Sequence, residues 1–151
     1  MDYFIVAIPL AVLVAGLLWL LWVPSPKPPP ASSFRACFES RDAPPLAFDG
    51  RRVQPQASGL AARPYSFVLH KYGTLGIDAK PGLMLRQLPN GRFSFINGRP
   101  RFADSTMTLL HQVDGKLYPV FKSDDAQFLE VDSDGGATMR FVRAPVANCG
   151  L

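Results

Sequence analysis

TMTLLHQVDGKLYPVF, residues 106–121, decides the fold. Two runs rich in apolar and β-branched residues flank Asp114-Gly115, and this pair supplies the positive φ that a two-residue hairpin turn requires. The same turn chemistry recurs at Asp49-Gly50, Asn90-Gly91, Asn97-Gly98 and Asp134-Gly135, so five such pairs punctuate the chain. Around them the sequence predicts strands at residues 45–48, 51–54, 65–71, 83–88, 92–96, 99–103, 106–113, 116–121, 127–132 and 137–143. Several alternate cleanly, as in Tyr65, Phe67 and Leu69 or Phe93 and Phe95, which is the mark of antiparallel strands with one buried face. Beyond residue 23 no stretch holds a helical period of 3.6 over three turns, and the hairpins share no fixed repeat length. The expectation for residues 34–151 is therefore a mainly antiparallel all-β domain, closed into a small barrel or folded as a sandwich.

Ahead of this domain the chain changes character. Tyr3 to Val23 form 21 residues without a charge, roughly 31 Å of helix, which matches the hydrocarbon core of a bilayer. Trp19 and Trp22 fall in its last turn and Tyr3 at its start, where amphipathic rings sit at membrane interfaces. A cleaved signal peptide fits poorly, because Met1-Asp2 offers no basic n-region and the run ends in Val23-Pro24-Ser25-Pro26 without a small-residue cleavage site. Residues 1–23 are thus expected to be a single transmembrane helix, in contact with membrane lipid through residues 3–23. Residues 24–33 follow as a proline-rich stalk, a semi-rigid polyproline II spacer that at about 3.1 Å per residue would lift the domain some 20 Å from the bilayer.

Which side of the membrane holds the domain depends on conflicting signals. Lys27, Arg35 and Arg41 follow the helix, and the positive-inside rule taken alone favours the cytoplasm. Long domains translocate largely regardless of charge, however, and only Lys27 lies close to the membrane face. Cys37 opens the domain and Cys149 stands two residues from its end, so a disulfide between them would staple the two ends together. Such bonds persist in oxidising compartments, which points to an inner-membrane protein with a periplasmic domain. There is no Cys-x-x-Cys or Cys/His ligand spacing, so neither a zinc site nor a redox dithiol is expected.

Charge is unevenly distributed. Residues 24–101 hold twelve Lys or Arg against four Asp or Glu, and residues 102–151 hold four against seven. Within the basic half, Arg86, Arg92, Arg99 and Arg101 interleave with Phe93, Phe95 and Phe102. The plain reading is a hairpin with buried Phe and solvated Arg; the sharper one makes Arg86, Arg92, Arg99, Arg101 and Phe102 a binding surface for an anionic partner.

Catalytic chemistry is sparse. His70 and His111 are the two histidines, both within expected strands, and no spacing forces them together with carboxylates. The Asp132-Ser133-Asp134-Gly135-Gly136 segment is superficially calcium-loop-like, but the twelfth position counted from Asp132 is Arg143 where a bidentate Glu is needed. No Gly-x-Ser-x-Gly, phosphate loop or His-Glu-x-x-His occurs. These observations lead to the expectation of a non-enzymatic envelope protein without cofactor or metal. Its anchored domain would bind another protein near the membrane surface, as an assembly component of a membrane complex or as an inhibitor or immunity protein. A module for anionic cell-wall glycan or lipid headgroups is the alternative, an anchored hydrolase is less favoured, and nucleic acid is not an expected partner.

Overall fold

A computed structural model of the chain describes residues 12–16, 18, 27–56, 58–98 and 107–151. Among these residues the strands are β1 (Arg35–Glu39), β2 (Leu46–Asp49), β3 (Arg52–Pro55), β4 (Arg63–Leu69), β5 (Leu75–Ala79), β6 (Leu83–Gln87), β7 (Phe93–Asn97), β8 (Met107–Val113), β9 (Lys116–Pro119), β10 (Phe128–Asp132) and β11 (Thr138–Ala144). Every pairing between them is antiparallel. Eight close on themselves in the order β10-β11-β1-β2-β3-β4-β5-β8, with β8 returning to β10, so the domain is a barrel and not a sandwich. β9 hangs on β8 as a hairpin extension, and β6 with β7 form a separate two-stranded ribbon.

Period-two alternation sends one face of each barrel strand inward. Ala36, Phe38, Leu46, Phe48, Val53, Tyr65, Phe67, Leu75, Ile77, Met107, Leu109, Leu129, Val131 and Phe141 meet there in a single core. Aromatic edges fill the centre: Phe34 meets Phe48 and Phe67 at 5.4 Å each, and Phe48 meets Tyr65 edge-on at 5.2 Å. An eight-stranded barrel is just wide enough for its interior to be filled by side chains, and these do so. The Tyr65 hydroxyl lies 3.1 Å from both Ala31 O and Phe34 O, holding the chain to the barrel where it arrives. Burial, with Asp49 nearby, pushes that phenol well above its ordinary pKa, so it stays a neutral donor.

Most expected turns are in place. Asp49-Gly50 joins β2 to β3, Asn90-Gly91 joins β6 to β7, Asp114-Gly115 joins β8 to β9, and Asp134-Gly135 lies between β10 and β11. In the last of these the positive φ, 83°, falls on Gly136 instead of Gly135. Gly50 is required twice over: its φ is +90°, and a Cβ there would sit 2.7 Å from Ser32 O. Asn97-Gly98 is a correction, since it makes no turn; Asn97 ends β7 and Gly98 N–H continues the ladder to Gly82 O at 3.0 Å. The strand expected at residues 99–103 lies outside the described residues. β1 and β5 were absent from the sequence expectation, and His70 falls just beyond β4 instead of within it.

Cys37 and Cys149 are disulfide-bonded across 112 residues of sequence. The bond holds a 3-10 turn, Val146–Cys149, on the outer wall of β1 and β2, where Cys37 and Ala47 are buried with Ala144 and Leu151 packed against them. The expected membrane anchor falls mostly outside the described residues. Residues 12–16 and 18 are helical with Val12, Leu13, Val14 and Leu18 exposed, and among the described residues no helix is long and apolar enough to cross a membrane. In the stalk, Pro30 has φ −66° and ψ 137°, the polyproline II region.

Candidate functional site

Antiparallel alternation gives the barrel two distinguishable ends. β1 leaves from the end at which the chain arrives, and β2, β4, β8 and β11 run back toward it. This proximal end therefore carries the β2–β3 turn, the 3-10 turn Lys71–Gly73 between β4 and β5, and the β8–β9 hairpin. The loops β1–β2, β3–β4 and β10–β11 lie at the distal end. Each end presents a surface, and the two differ in chemistry.

The distal surface is the β6–β7 ribbon, which contains the sequence-selected arginines. Leu83, Leu85 and Phe95 point into the barrel core, and the Phe95 ring stacks on Phe141 at 6.0 Å. Backbone bonds seat the ribbon on the distal loops: Phe93 N–H donates to Asp42 O at 2.7 Å, and Asp134 N–H to Leu85 O at 2.8 Å. Its base is latched by Arg63, 5% exposed, whose Nη1 donates to Pro81 O, Gly82 O and Asn97 Oδ1 at 3.2, 3.3 and 2.8 Å. Burial lowers the pKa of that guanidinium. With Leu83, Leu85 and Phe95 turned to the core, the other side of the ribbon carries buried Met84 and half-buried Ile96 at its base and exposed arginines toward its tip. Arg86 Nε meets Asp134 Oδ2 at 2.8 Å in an exposed pair, while Arg92 is exposed beside the ribbon tip. Arg99, Arg101 and Phe102 lie outside the described residues. The structure thus places Arg86 and Arg92 on one ribbon and puts Phe93 and Phe95 half-buried and buried behind them.

Neighbouring carboxylates are committed to the sheet. Glu130 accepts from Arg140 at 2.8 Å across β10 and β11, and burial, then Glu130, raises the pKa of Asp132. In the turn beyond, Ser133 Oγ accepts from Ala137 N–H at 3.1 Å. Among the described residues no three His, Cys, Asp or Glu side chains converge in a way that could hold a metal ion.

The proximal surface was not anticipated from sequence. Among the described residues β8 pairs with β5 through Met107 and Thr108, then continues past the barrel rim, pairing with β9 through residues 110–113. Alternation that makes Met107 and Leu109 core residues therefore carries His111 and Val113 out beyond the core on the same face. Tyr118, opposite His111, stands edge-on to its ring at 6.1 Å. Thr74, His111, Val113, Tyr118, Pro119 and Phe121 line an open groove of about 410 Å³, and Tyr72 stands exposed on the Lys71–Gly73 turn, whose Gly73 lies close to the Phe121 ring. Phe121 is 65% exposed and Tyr72 83%, values at which a large ring has most of its surface in water. The groove is tied to the arriving chain: Arg143 lies over the Phe34 ring at 5.9 Å and donates through Nη1 to Asp124 O and Ala126 O, just past Phe121.

The chain matches no protein-family model, no curated protein and no solved structure.

Proposed function

We propose that this chain is a single-pass, membrane-anchored envelope protein whose β barrel stands on the extracytoplasmic side and binds another protein without catalysing a reaction. The uncharged run of residues 3–23 supports the anchor, and the Cys37–Cys149 disulfide supports an oxidising compartment. The observation that carries the binding reading is the β6–β7 ribbon. It lies outside the barrel sheet, at the end opposite to the one where the chain arrives, and it spends its apolar side on the core while Arg86 and Arg92 face outward. A tethered barrel would present this surface away from the bilayer, within reach of a partner held at the same membrane. Arg99, Arg101 and Phe102, which directly follow β7 in sequence, extend the proposed surface. An assembly component of a membrane complex and an inhibitor or immunity protein both fit such a display.

A photoreactive residue at Arg92, in native membranes, should give a discrete protein adduct, whereas one at Val142 on the outer wall should not. A chain that runs alone from both positions would refute a protein partner. The exposed Arg92 also favours, as a second reading, an anionic wall glycan. In that case cosedimentation with wall polymer should weaken with added salt and with Arg92, Arg99 and Arg101 changed to Ala.

A further inference from the structure

We infer that the proximal groove is a bilayer-docking surface: Tyr72, Tyr118 and Phe121 seat in the interfacial layer of the membrane to which the chain is anchored. The inference rests on the anchored reading above for the presence of a bilayer, and on the fold for everything else. Residues 1–11 and 19–26 lie outside the described part, and the segment that follows them reaches the barrel at Ala31 to Phe34, on the end that bears the groove. The Arg143 contacts hold that arriving segment and the Phe121 loop to one another. An uncharged run long enough to span a bilayer therefore leads, through a ten-residue stalk, to the end of the barrel with the exposed rings. The stalk fixes a radius and not a height, since a rod hinged at the membrane can lie along its surface.

The chemistry of the groove suits the interfacial layer. Two phenols and a phenyl ring project beside the exposed Lys71, Lys116 and Lys122, and Lys71 Nζ lies 5.3 Å from the Tyr72 ring centre. Tyr offers an apolar body with a polar tip, and Lys lays its methylenes on apolar surface while its ammonium stays wet, the combination found at membrane interfaces. At the groove three exposed carboxylates, Asp114, Asp124 and Asp125, offset these three lysines, while the start of β1 and the β2–β3 turn on the same end add exposed Arg35, Arg51 and Arg52 against Asp49, so the end as a whole is net positive. On zwitterionic lipid docking then depends on apolar and aromatic contact, and anionic lipid should strengthen it in a salt-dependent way. A peptide adding itself as a further strand is disfavoured: the outer edge belongs to β9, four residues long, in which Pro119 lacks an N–H and Lys116 is charged.

The test uses the full chain, with its disulfide intact, reconstituted in phosphatidylcholine vesicles. A nitroxide is placed at Val113→Cys in the groove or at Leu88→Cys on the distal ribbon. The label at 113 should be accessible to oxygen and severalfold more protected from an aqueous nickel complex than the label at 88. Adding Tyr72→Ser, Tyr118→Ser and Phe121→Ser, all at exposed side chains, should restore nickel access at 113. Because the only tryptophans are Trp19 and Trp22, their quenching by brominated lipid reports the anchor separately. Quenched tryptophans with equal nickel access at 113 and 88 would overturn the docking and leave the anchor standing. Unquenched tryptophans would remove the anchor and the docking with it. Shielding of 113 from both reagents would assign the groove to a second copy, and shielding that arises only in native membranes to another protein; each result overturns the lipid assignment.

Discussion

Replacing Cys37 and Cys149 together by Ala should lower the melting midpoint of the barrel by about 20 °C. The two residues are 112 apart, and in the chain-entropy description closing a loop of that length removes about 5 kcal/mol from the freedom of the unfolded chain. A domain of this size has an unfolding entropy near 0.25 kcal/mol/K, from about 2.1 cal/mol/K per residue, so each kcal/mol moves the midpoint by about 4 °C. Alanine is the better substitute, because Cys37 is fully buried and Cys149 7% exposed, and a serine hydroxyl in that setting would add an unrelated desolvation cost of about 1–3 kcal/mol. Other bonds retain the C-terminal turn only weakly: Gln56 Nε2 reaches Cys149 O at 3.5 Å and Asn148 Nδ2 reaches Glu39 Oε1 at 3.1 Å on the surface. Amides of residues 146–151 should therefore lose exchange protection before those of β4 and β5. The assay is circular dichroism melting of the full chain in mild detergent, comparing wild type, each single variant and the double variant, with and without reductant. All reduced or substituted forms should melt together, well below the oxidised wild type. A midpoint drop of less than about 5 °C would mean that the unfolded chain is already compact around this contact, and the loop-entropy reasoning would fail.

Two further perturbations follow from buried and capped groups. Arg63→Ala should cost about 2–4 kcal/mol, since it leaves three acceptors without their guanidinium donor, and exchange should show the β6–β7 ribbon losing protection first; a ribbon as protected as β4–β5 would contradict the latch. At the β2–β3 turn, Asp49 Oδ1 accepts from Arg51 N–H at 2.8 Å and Arg52 N–H at 2.7 Å, and these bonds hold its carboxyl below the ordinary carboxylate range. A depressed folded pKa adds stability above the unfolded value that disappears as pH falls through the folded one. The melting gap between wild type and Asp49→Asn should then be present at pH 7 and close below about pH 4, and a gap unchanged down to pH 2 would refute this.

What the sequence disclosed was local. Asp-Gly and Asn-Gly turns, with the alternation beside them, place β2–β3, β6–β7, β8–β9 and β10–β11 because a hairpin needs only neighbouring residues. β5 escaped because Gly76 and Asp78 are poor strand formers; that segment is a strand since β4 and β8 pair with it on both sides, a tertiary cause with no local signal. β1 escaped similarly, being held between β2 and β11, which lie far apart in sequence. Barrel closure through β8 and β10 is non-local as well. The Arg86 and Arg92 side of the ribbon was legible from the Arg/Phe alternation. The groove was not, because alternation assigns His111 and Val113 to the face of Met107 and Leu109 without saying where the barrel rim cuts across β8.

That rim position sets the strength of the inferred docking. Burying the exposed parts of Tyr72, Tyr118 and Phe121 yields a few kcal/mol, at about 25 cal/mol per Å² of apolar surface. Free in solution, such a patch would bind a bilayer only at about millimolar strength. An anchor and a short stalk change the reference state, since a short tether supplies an effective concentration that is itself about millimolar. With the proposed anchor the two magnitudes are of the same order, so the docked position would be favoured over a raised one by no more than a few-fold. A partner engaging the β6–β7 ribbon at the distal end need only bind one position slightly better to shift that balance. Removing the three rings should then alter how high the ribbon is held above the membrane while leaving its arginines, and the barrel that presents them, unchanged.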